Sequence, residues 1–314
     1  MDLSVVVIAR NEARTIGACI ESILEQTADF SIEVILVDSA STDRTVVCID
    51  PAADLSPSAG RYLGTLQATG DYILFLDGDM ILIRDWVRSA LAFLKDGKVG
   101  AVGGRLFRVY PGELLHCDHP DNYPLGEVDR LGGAGLYRRD VLKKAGSFNP
   151  FVKGEEEREL GFRINRAGFR ILRVDVPMVY HMEKDKTASE RDEKAVHFTG
   201  VGQHIRRYGL HRISWELLWS HRAALRGHAA ALLALVLLLL LLAAGQVLYF
   251  TAGVLLLAAF LLAMVLIKGW RKVYLFFRFG FLVLLNLLKG LRLGIPSPDT
   301  YRVRTSVLSR AGRS

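Results

Sequence analysis

The chain has 314 residues, 51% of them hydrophobic and 23% charged, with a formal net charge of +7. That length suggests about two domain-sized units. The composition, with 29 Gly and 9 Pro, excludes a disordered tail protein and a collagen-like or low-complexity chain. Cys19, Cys48 and Cys117 share no metal-ligand spacing and cannot pair evenly, which points to a reducing compartment.

The charge is divided unevenly along the chain. Residues 1–204 carry 25 Lys+Arg against 31 Asp+Glu, whereas residues 205–314 carry 15 against 2. The basic excess surrounds apolar helices, so its expected partner is an anionic membrane surface and not a nucleic acid. Met1-Asp2-Leu3 has no basic region ahead of an apolar run, so no signal peptide is expected.

Ser4–Ala9 is a short β-branched run, as in a strand covered on both faces. Residues 12–26 follow with helical spacing, placing Ile16, Ile20, Ile23 and Leu24 on one side. Glu33–Val37 is a second buried strand ending at Asp38, residues 58–69 are a helix, and Tyr72–Leu76 is a third strand ending at Asp77. This alternation predicts an α/β fold with a mostly parallel sheet between helix layers. Polar residues collect after the strand ends, at Arg10–Glu12, Asp38–Asp43 and Asp77–Asp79, along the edge where open α/β sheets bind ligands. There is no G-x-G-x-x-G after the first strand and no P-loop, which argues against a dinucleotide site.

No charged residue occurs over the 39 positions from Ala229 to Ile267. His228–Gly245 and Val247–Ile267 are each about long enough to cross a hydrocarbon core, and Gly245-Gln246 is the break between them. A helical hairpin is expected, flanked by Arg222 and Arg226 before and Lys268, Arg271 and Lys272 after. The positive-inside rule puts both ends, and the α/β half, in the cytoplasm of an integral membrane protein. Val273–Leu288 contains Arg278 and suits an interfacial helix better than a span, though a third membrane helix stays open. The organisation is therefore an α/β domain over 1–204, an amphipathic linker over 205–227, a membrane hairpin over 228–267 and a basic interfacial segment with tail over 268–314.

Asp77-Gly78-Asp79 is the sharpest local signal. Two carboxylates around a turn-forming glycine can share one hard divalent cation; by itself the same tripeptide reads equally well as a solvated turn. His116-Cys117-Asp118-His119 has the look of a zinc half-site, but no second cluster supplies further ligands, and it is left unassigned.

Five blocks resemble family 2 glycosyltransferases of the GT-A, Rossmann-like fold: Ser4–Gln26, Glu33–Thr45, Gly70–Met80, Gly132–Phe148, and Glu155–Val174 with the Val179-Tyr180-His181 end. Their order and spacing match over roughly residues 3–185. The resemblance implies inverting transfer of a sugar from a nucleotide sugar, with UDP-sugar the commonest donor of the family. It places Ile8, Arg10 and Glu12 in the nucleotide-binding first loop and Asp38-Ser39 at base and ribose, where Ser39 replaces an aspartate common among relatives. Arg61 resembles an arginine that meets base or diphosphate, with Asp77 and Gly78 on the donor. A divalent cation (Mn²⁺ or Mg²⁺) is implied on Asp77, Asp79 and His181, and such an imidazole–carboxylate set suits Mn²⁺ at least as well as Mg²⁺.

Glu155-Glu156-Glu157 would otherwise be a solvated acidic helix start. The resemblance makes Glu157 the catalytic base, with Glu156 in reserve, and Gly132, Gly133 and Ala134 the acceptor side. Gln203-His204-Ile205-Arg206-Arg207 is similar to the Q-x-x-R-W signature of processive members, but Arg207 stands in place of tryptophan, so a non-processive enzyme is expected. Placement at a bilayer suits a lipid-linked or membrane-surface acceptor. The alternatives are a polyprenyl-phosphate sugar synthase and a catalytically silent nucleotide-sugar-binding membrane module.

Overall fold

The computed structural model describes residues 2–26, 31–39, 41–43, 45, 56–115, 123–184, 190–209, 214–215, 219, 233–234, 236–241 and 243–293. The His116–His119 cluster, most of the expected linker and the tail beyond Leu293 lie outside the described residues, as does much of the first hairpin member. Among the described residues, eight strands form one sheet: β1 (Asp2–Ala9), β2 (Ser31–Asp38), β3 (Tyr72–Asp77), β4 (Met80–Leu82), β5 (Val99–Val109), β6 (Gly126–Val128), β7 (Gly135–Arg138) and β8 (Arg170–Met182). Their order is β2-β1-β3-β7-β5-β8-β4, with β6 also paired to β8. β1, β2, β3, β5 and β8 run in one direction, and β4, β6 and β7 oppose them. The sheet is mixed but mostly parallel, as the alternating β and α pattern predicts.

The strand period of two separates two cores. Val5, Val7, Leu74 and Leu76 face one layer, against α1 (Ile16–Leu24) and α3 (Trp86–Phe93). Val6, Ile73 and Phe75 face the other, with α2 (Pro57–Gln67), α4 (Arg139–Ala145) and α5 (Glu156–Arg166) on that side. Both faces are covered, which is why these strands read as continuous apolar runs.

The first helix starts at Ile16, four residues later than its periodicity suggests. Asn11 has φ +57° and the Glu12 N–H donates to Thr45 Oγ1 at 2.7 Å, so the chain turns once before the helix begins. The Glu12 carbonyl then accepts from Thr15 and Ile16.

α2 lies close on the sheet for a steric reason. A Cβ on Gly64 would meet Val6 Cγ1 at 2.2 Å, and one on Gly60 would meet Ile8 Cγ2 at 3.0 Å. These glycines flank Arg61 by one and three positions, so the same close approach seats its side chain. Ser56 caps α2, accepting from the Ala59 N–H at 3.3 Å, and Pro57 opens the helix.

α6 (Glu190–Tyr208) runs through the expected boundary at residue 204. Phe198, Val201, Ile205 and Tyr208 pack with Phe162 of α5 and with Phe279, Leu282, Val283 and Leu287 of the last described helix, α8 (Trp270–Leu293). The α6–α8 crossing is nearly backbone to backbone: a Cβ on Gly290 would lie 2.0 Å from the Thr199 carbonyl oxygen, and one on Gly202 would lie 2.2 Å from that of Leu287. Thr199 Oγ1 also donates to Asn286 Oδ1 at 3.0 Å. The remaining face of α8 is apolar and exposed at Phe277, Phe281, Leu284, Leu285 and Leu288.

α7 (Val247–Lys268) precedes α8 and joins it through Gly269. Its Val247–Ile267 stretch is long and apolar enough to cross a membrane, and none of it is buried within the chain. Leu238 rests against it, since a Cβ on Gly253 would meet Leu238 Cδ2 at 2.5 Å.

Gly290→Ala therefore forces α6 and α8 apart. Thermal unfolding should show a loss of about 1–3 kcal/mol, the usual cost of overpacking. Gly97→Ala, where an added Cβ meets nothing within 4 Å, should leave Tm unchanged.

Candidate active site

The parallel register sets the candidate residues side by side. Ala9 pairs with Asp38, and Ile8 pairs with Asp77, so the ends of β1, β2 and β3 form one polar edge. The Ile8 carbonyl accepts from the Gly78 N–H at 2.8 Å, and the Ala9 carbonyl accepts from Ser39 at 2.8 Å. Arg10 is exposed beyond this edge. Asp38 accepts from the Ser41 N–H at 3.0 Å, and Glu12 is buried and paired to Lys184 Nζ. A Cβ on Gly78 would crowd Ala9 Cβ at 3.1 Å and Glu12 Cγ at 3.3 Å, so the turn after β3 sits directly on the first loop.

Arg61 is the centre of the cluster. It is 2% exposed, and its guanidinium lies over the Phe148 ring with 5.4 Å to the centroid. Nη2 reaches Asp77 Oδ1 at 2.9 Å, while Nη1 reaches Glu156 Oε1 at 2.9 Å and Glu157 Oε1 at 3.3 Å. It is thus a buried hub joining the β3 end to the start of α5, not a helix-surface arginine.

One cation faces three carboxylates, Glu156 buried and Asp77 and Glu157 partly exposed, and the latter two are raised above their ordinary values. Burial pushes Glu157 up to about 7, reinforced by Glu156 and opposed by Arg61. Burial likewise pushes Asp77 up to about 6, with Arg61 opposing and Asp79 and Glu157 adding to the rise. Burial raises Glu12 as well, against its ion pair with Lys184.

α5 delivers its acids from a constrained start. Glu155 precedes the helix with φ +60°, and Glu156, Glu157 and Glu159 occupy the first turn, where the helix dipole favours negative charge. Arg158 braces this turn, reaching Glu155 Oε2 at 3.2 Å and Asp129 Oδ2 at 3.0 Å. Glu159 is fully buried; burial opposes its charge, but Arg163 and the Tyr208 hydroxyl hold it below the usual carboxylate range.

The antiparallel β4–β8 pair brings the third expected ligand to the second aspartate. Met80 lies opposite His181, which puts His181 Nε2 3.4 Å from Asp79 Oδ2. Burial disfavours the charged imidazole, but Asp79 and Glu183 outweigh it and raise the His181 pKa. Asp79 Oδ1 is buried with no hydrogen-bond partner. Among the described residues no three His, Cys, Asp or Glu side chains converge at metal-binding spacing: Asp77 turns to Arg61, and Asp79 turns to His181. An imidazole beside a carboxylate whose other oxygen lacks a partner is a donor set that fits a divalent cation whose remaining positions are filled by phosphate or water.

At Gly132–Ala134, where the resemblance expects the acceptor, a Cβ on Gly133 would lie 2.0 Å from Asp77 Oδ2, so only glycine allows the chain leading into β7 to approach that carboxylate so closely. Gly132 and Ala134, on either side, line a cleft with Tyr123, Leu125, Arg105 and Arg173.

Sequence reasoning did not find the partners of these groups. Lys184, Glu183, Asp129 and Tyr208 carry no local motif. Glu159–Arg163, at i,i+4, and Glu155–Arg158, at i,i+3, had a readable signal in their spacing.

The glycosyl transferase family 2 model matches residues 4–146. The succinoglycan biosynthesis protein ExoA of Rhizobium meliloti is 26% identical over 205 residues, covering 56% of this chain and 62% of that protein. The UDP-Glc:alpha-D-GlcNAc-diphosphoundecaprenol beta-1,3-glucosyltransferase WfaP of Escherichia coli is 31% identical over 108 residues, covering 31% of this chain and 43% of WfaP. The chain thus spans less than two-thirds of the length of either relative. Among solved structures, the mannosyltransferase PcManGT of Pyrobaculum calidifontis, in complex with GDP-Man and Mn²⁺, superposes with a TM-score of 0.52 at 21% identity, over 91% of this chain and 86% of its own.

Removing the hub exposes its role. Arg61→Met should cost about 3–5 kcal/mol at pH 8, the range for stranding buried charge. The cost should shrink at pH 5, because Asp77 and Glu157, raised to about 6 and 7, then hold protons. In the wild type these raised groups make the folded chain bind protons that the unfolded chain has released, so both withdraw stability as pH climbs from their ordinary values through 6 and 7. Denaturant titrations at the two pH values read both effects.

Proposed function

The chain carries a family 2 glycosyltransferase domain over residues 4–146, and on that premise we propose that it is an inverting, metal-dependent transferase moving a sugar from a nucleotide sugar to a lipid-linked or membrane-surface acceptor. The observation that carries this reading is the gathering of Asp77, Glu156 and Glu157 around the buried Arg61. A solvated acidic turn needs no such enclosure. Here the enclosure leaves Glu157 able to accept a proton near neutral pH.

Glu157 removes the proton from the acceptor hydroxyl as its oxygen attacks the anomeric carbon, and the bond from that carbon to the diphosphate oxygen breaks. Attack opposite the leaving group inverts the configuration. Glu156, held to Arg61 at the shorter distance of 2.9 Å, orients the guanidinium, while Glu157 at 3.3 Å is the less tightly paired acid. Ile8, Arg10, Glu12, Asp38 and Ser39 bind the nucleotide along the strand-end edge, and Asp77 and Gly78 close on the donor. Gly132, Gly133 and Ala134 form the acceptor wall.

Asp79 and His181, with Asp77, would hold Mn²⁺ or Mg²⁺, and that cation supplies Lewis-acid stabilisation of the departing diphosphate. PcManGT, a Mn²⁺ complex, supports a divalent cation in this fold. WfaP supports a UDP-sugar donor and a diphosphate-linked lipid acceptor through the substrates in its name. On this reading α7 crosses the membrane as one arm of the 228–267 hairpin, so both ends of the hairpin, and the catalytic domain with them, lie on the cytoplasmic side that the flanking basic residues favour. The exposed apolar face of α8 lies at the interface.

Detergent-purified protein with native lipid extract should release nucleotide from one member of a UDP-, GDP- and dTDP-sugar panel, with Mn²⁺ or Mg²⁺ and not with EDTA. Metal-dependent donor binding with no turnover on any lipid would favour the silent binding module.

Glu157→Gln should lower transfer by about 10²–10⁴-fold while sparing donor affinity. The wild-type kcat/KM should fall on the acid side with a midpoint of about 7, the value to which Glu157 is raised. Full activity in Glu157→Gln would overturn the base assignment.

A further inference from the structure

Gln203 opens the Gln203-His204-Ile205-Arg206-Arg207 run of α6, and only 2% of it is exposed. Its amide bonds to backbone on the catalytic side. Oε1 accepts from the Lys153 N–H at 3.0 Å, and Nε2 donates to the Phe151 carbonyl at 2.9 Å. Two bonds to peptide groups two residues apart set both the position and the orientation of the segment they grip.

That segment leads directly to the acids. Gly154 has φ +131° and is pressed on α6: a Cβ on Gly200 would lie 2.0 Å from the Gly154 carbonyl oxygen, and one on Gly154 would lie 3.0 Å from His197 Cα. Glu155 then has φ +60°, and Glu156 and Glu157 follow. Both dihedrals belong to the left-handed region, so the four-residue path from Lys153 to Glu157 has little slack to absorb a shift at its start. α6 is in turn fastened to α8 through Gly202, Gly290 and the Thr199–Asn286 bond, with Arg206 Nη1 donating to the Leu291 carbonyl at 2.9 Å.

We propose that Gln203 is a positioning residue for the reaction: it holds Phe151–Glu155 in register on α6 and thereby sets Glu157 against Arg61 and Asp77. The proposal rests on Glu157 as the base. A side chain that only stabilised the fold would lower donor binding, turnover and stability together. A positioning side chain acts on turnover, because a displacement of about 1 Å at a catalytic group costs up to about 10²-fold.

Gln203→Met keeps length and removes both hydrogen bonds. It should lower kcat about 10–100-fold, leave KM for the nucleotide sugar unchanged and displace the acid limb of the pH profile. Hydrogen exchange should quicken over residues 151–157, while β1 and β3 stay protected. Gln203→Glu keeps an oxygen for the Lys153 N–H and should recover part of kcat; it carries the comparison if the methionine variant does not fold. Wild-type kcat in Gln203→Met, or equal losses of kcat, donor affinity and global protection, would overturn the proposal. Glu157→Gln in the otherwise wild-type chain tests the base assignment separately. Should that assignment fail, exchange over 151–157 still decides whether Gln203 holds the segment.

Discussion

A buried guanidinium surrounded by three carboxylates is the constraint around which the α/β domain is organised. Arg61 bonds Asp77 and Glu156 and lies within ion-pair distance of Glu157, so the local charge is not balanced. Burial disfavours charge on Glu157 and Asp77, and the neighbouring acids add to it against the pull of Arg61, which is why both are pushed up instead of down.

Placing that guanidinium requires three elements of different origin. β3 ends at Asp77 because the apolar run stops there. α2 reaches the sheet closely enough only because Gly60 and Gly64 offer no side chain to Ile8 and Val6. α5 must present its first turn from the far side of the cluster, and it cannot do so alone. Arg158 ties its start to Asp129, Tyr208 of α6 bonds Glu159 in its first turn, and α6 rests on α8. A continuous packed path therefore runs from an exposed apolar helix face to the carboxylates, by contacts that glycine makes short and stiff.

What could be read without coordinates was local in kind. Strand positions followed from β-branched runs, the edge from polar residues at their ends, and the long apolar stretch from the lack of charge. Glu157 was reachable only through resemblance, since an acidic helix start looks alike whether solvated or enclosed. The start of α1 was missed because the turn at Asn11–Thr15 is held by Thr45, which is distant in sequence. The burial of Arg61 was missed for a related reason: helical periodicity does not show that two glycines will draw one face of a weakly apolar helix onto a sheet.

The sequence by itself determined the order of the α and β elements as far as β3, the polar strand-end edge, the Asp77-Gly78-Asp79 turn and the apolar C-terminal stretch. Each depends on residues within a few positions of one another, where period, propensity and charge act directly. Only the tertiary structure decided that Asp77 turns to Arg61 while Asp79 turns to His181, that Lys184 returns to Glu12 across 172 positions, and that Gln203 grips the backbone ahead of Glu157. Such pairings arise from sheet order and helix packing, which bring distant residues together at distances that no local period encodes.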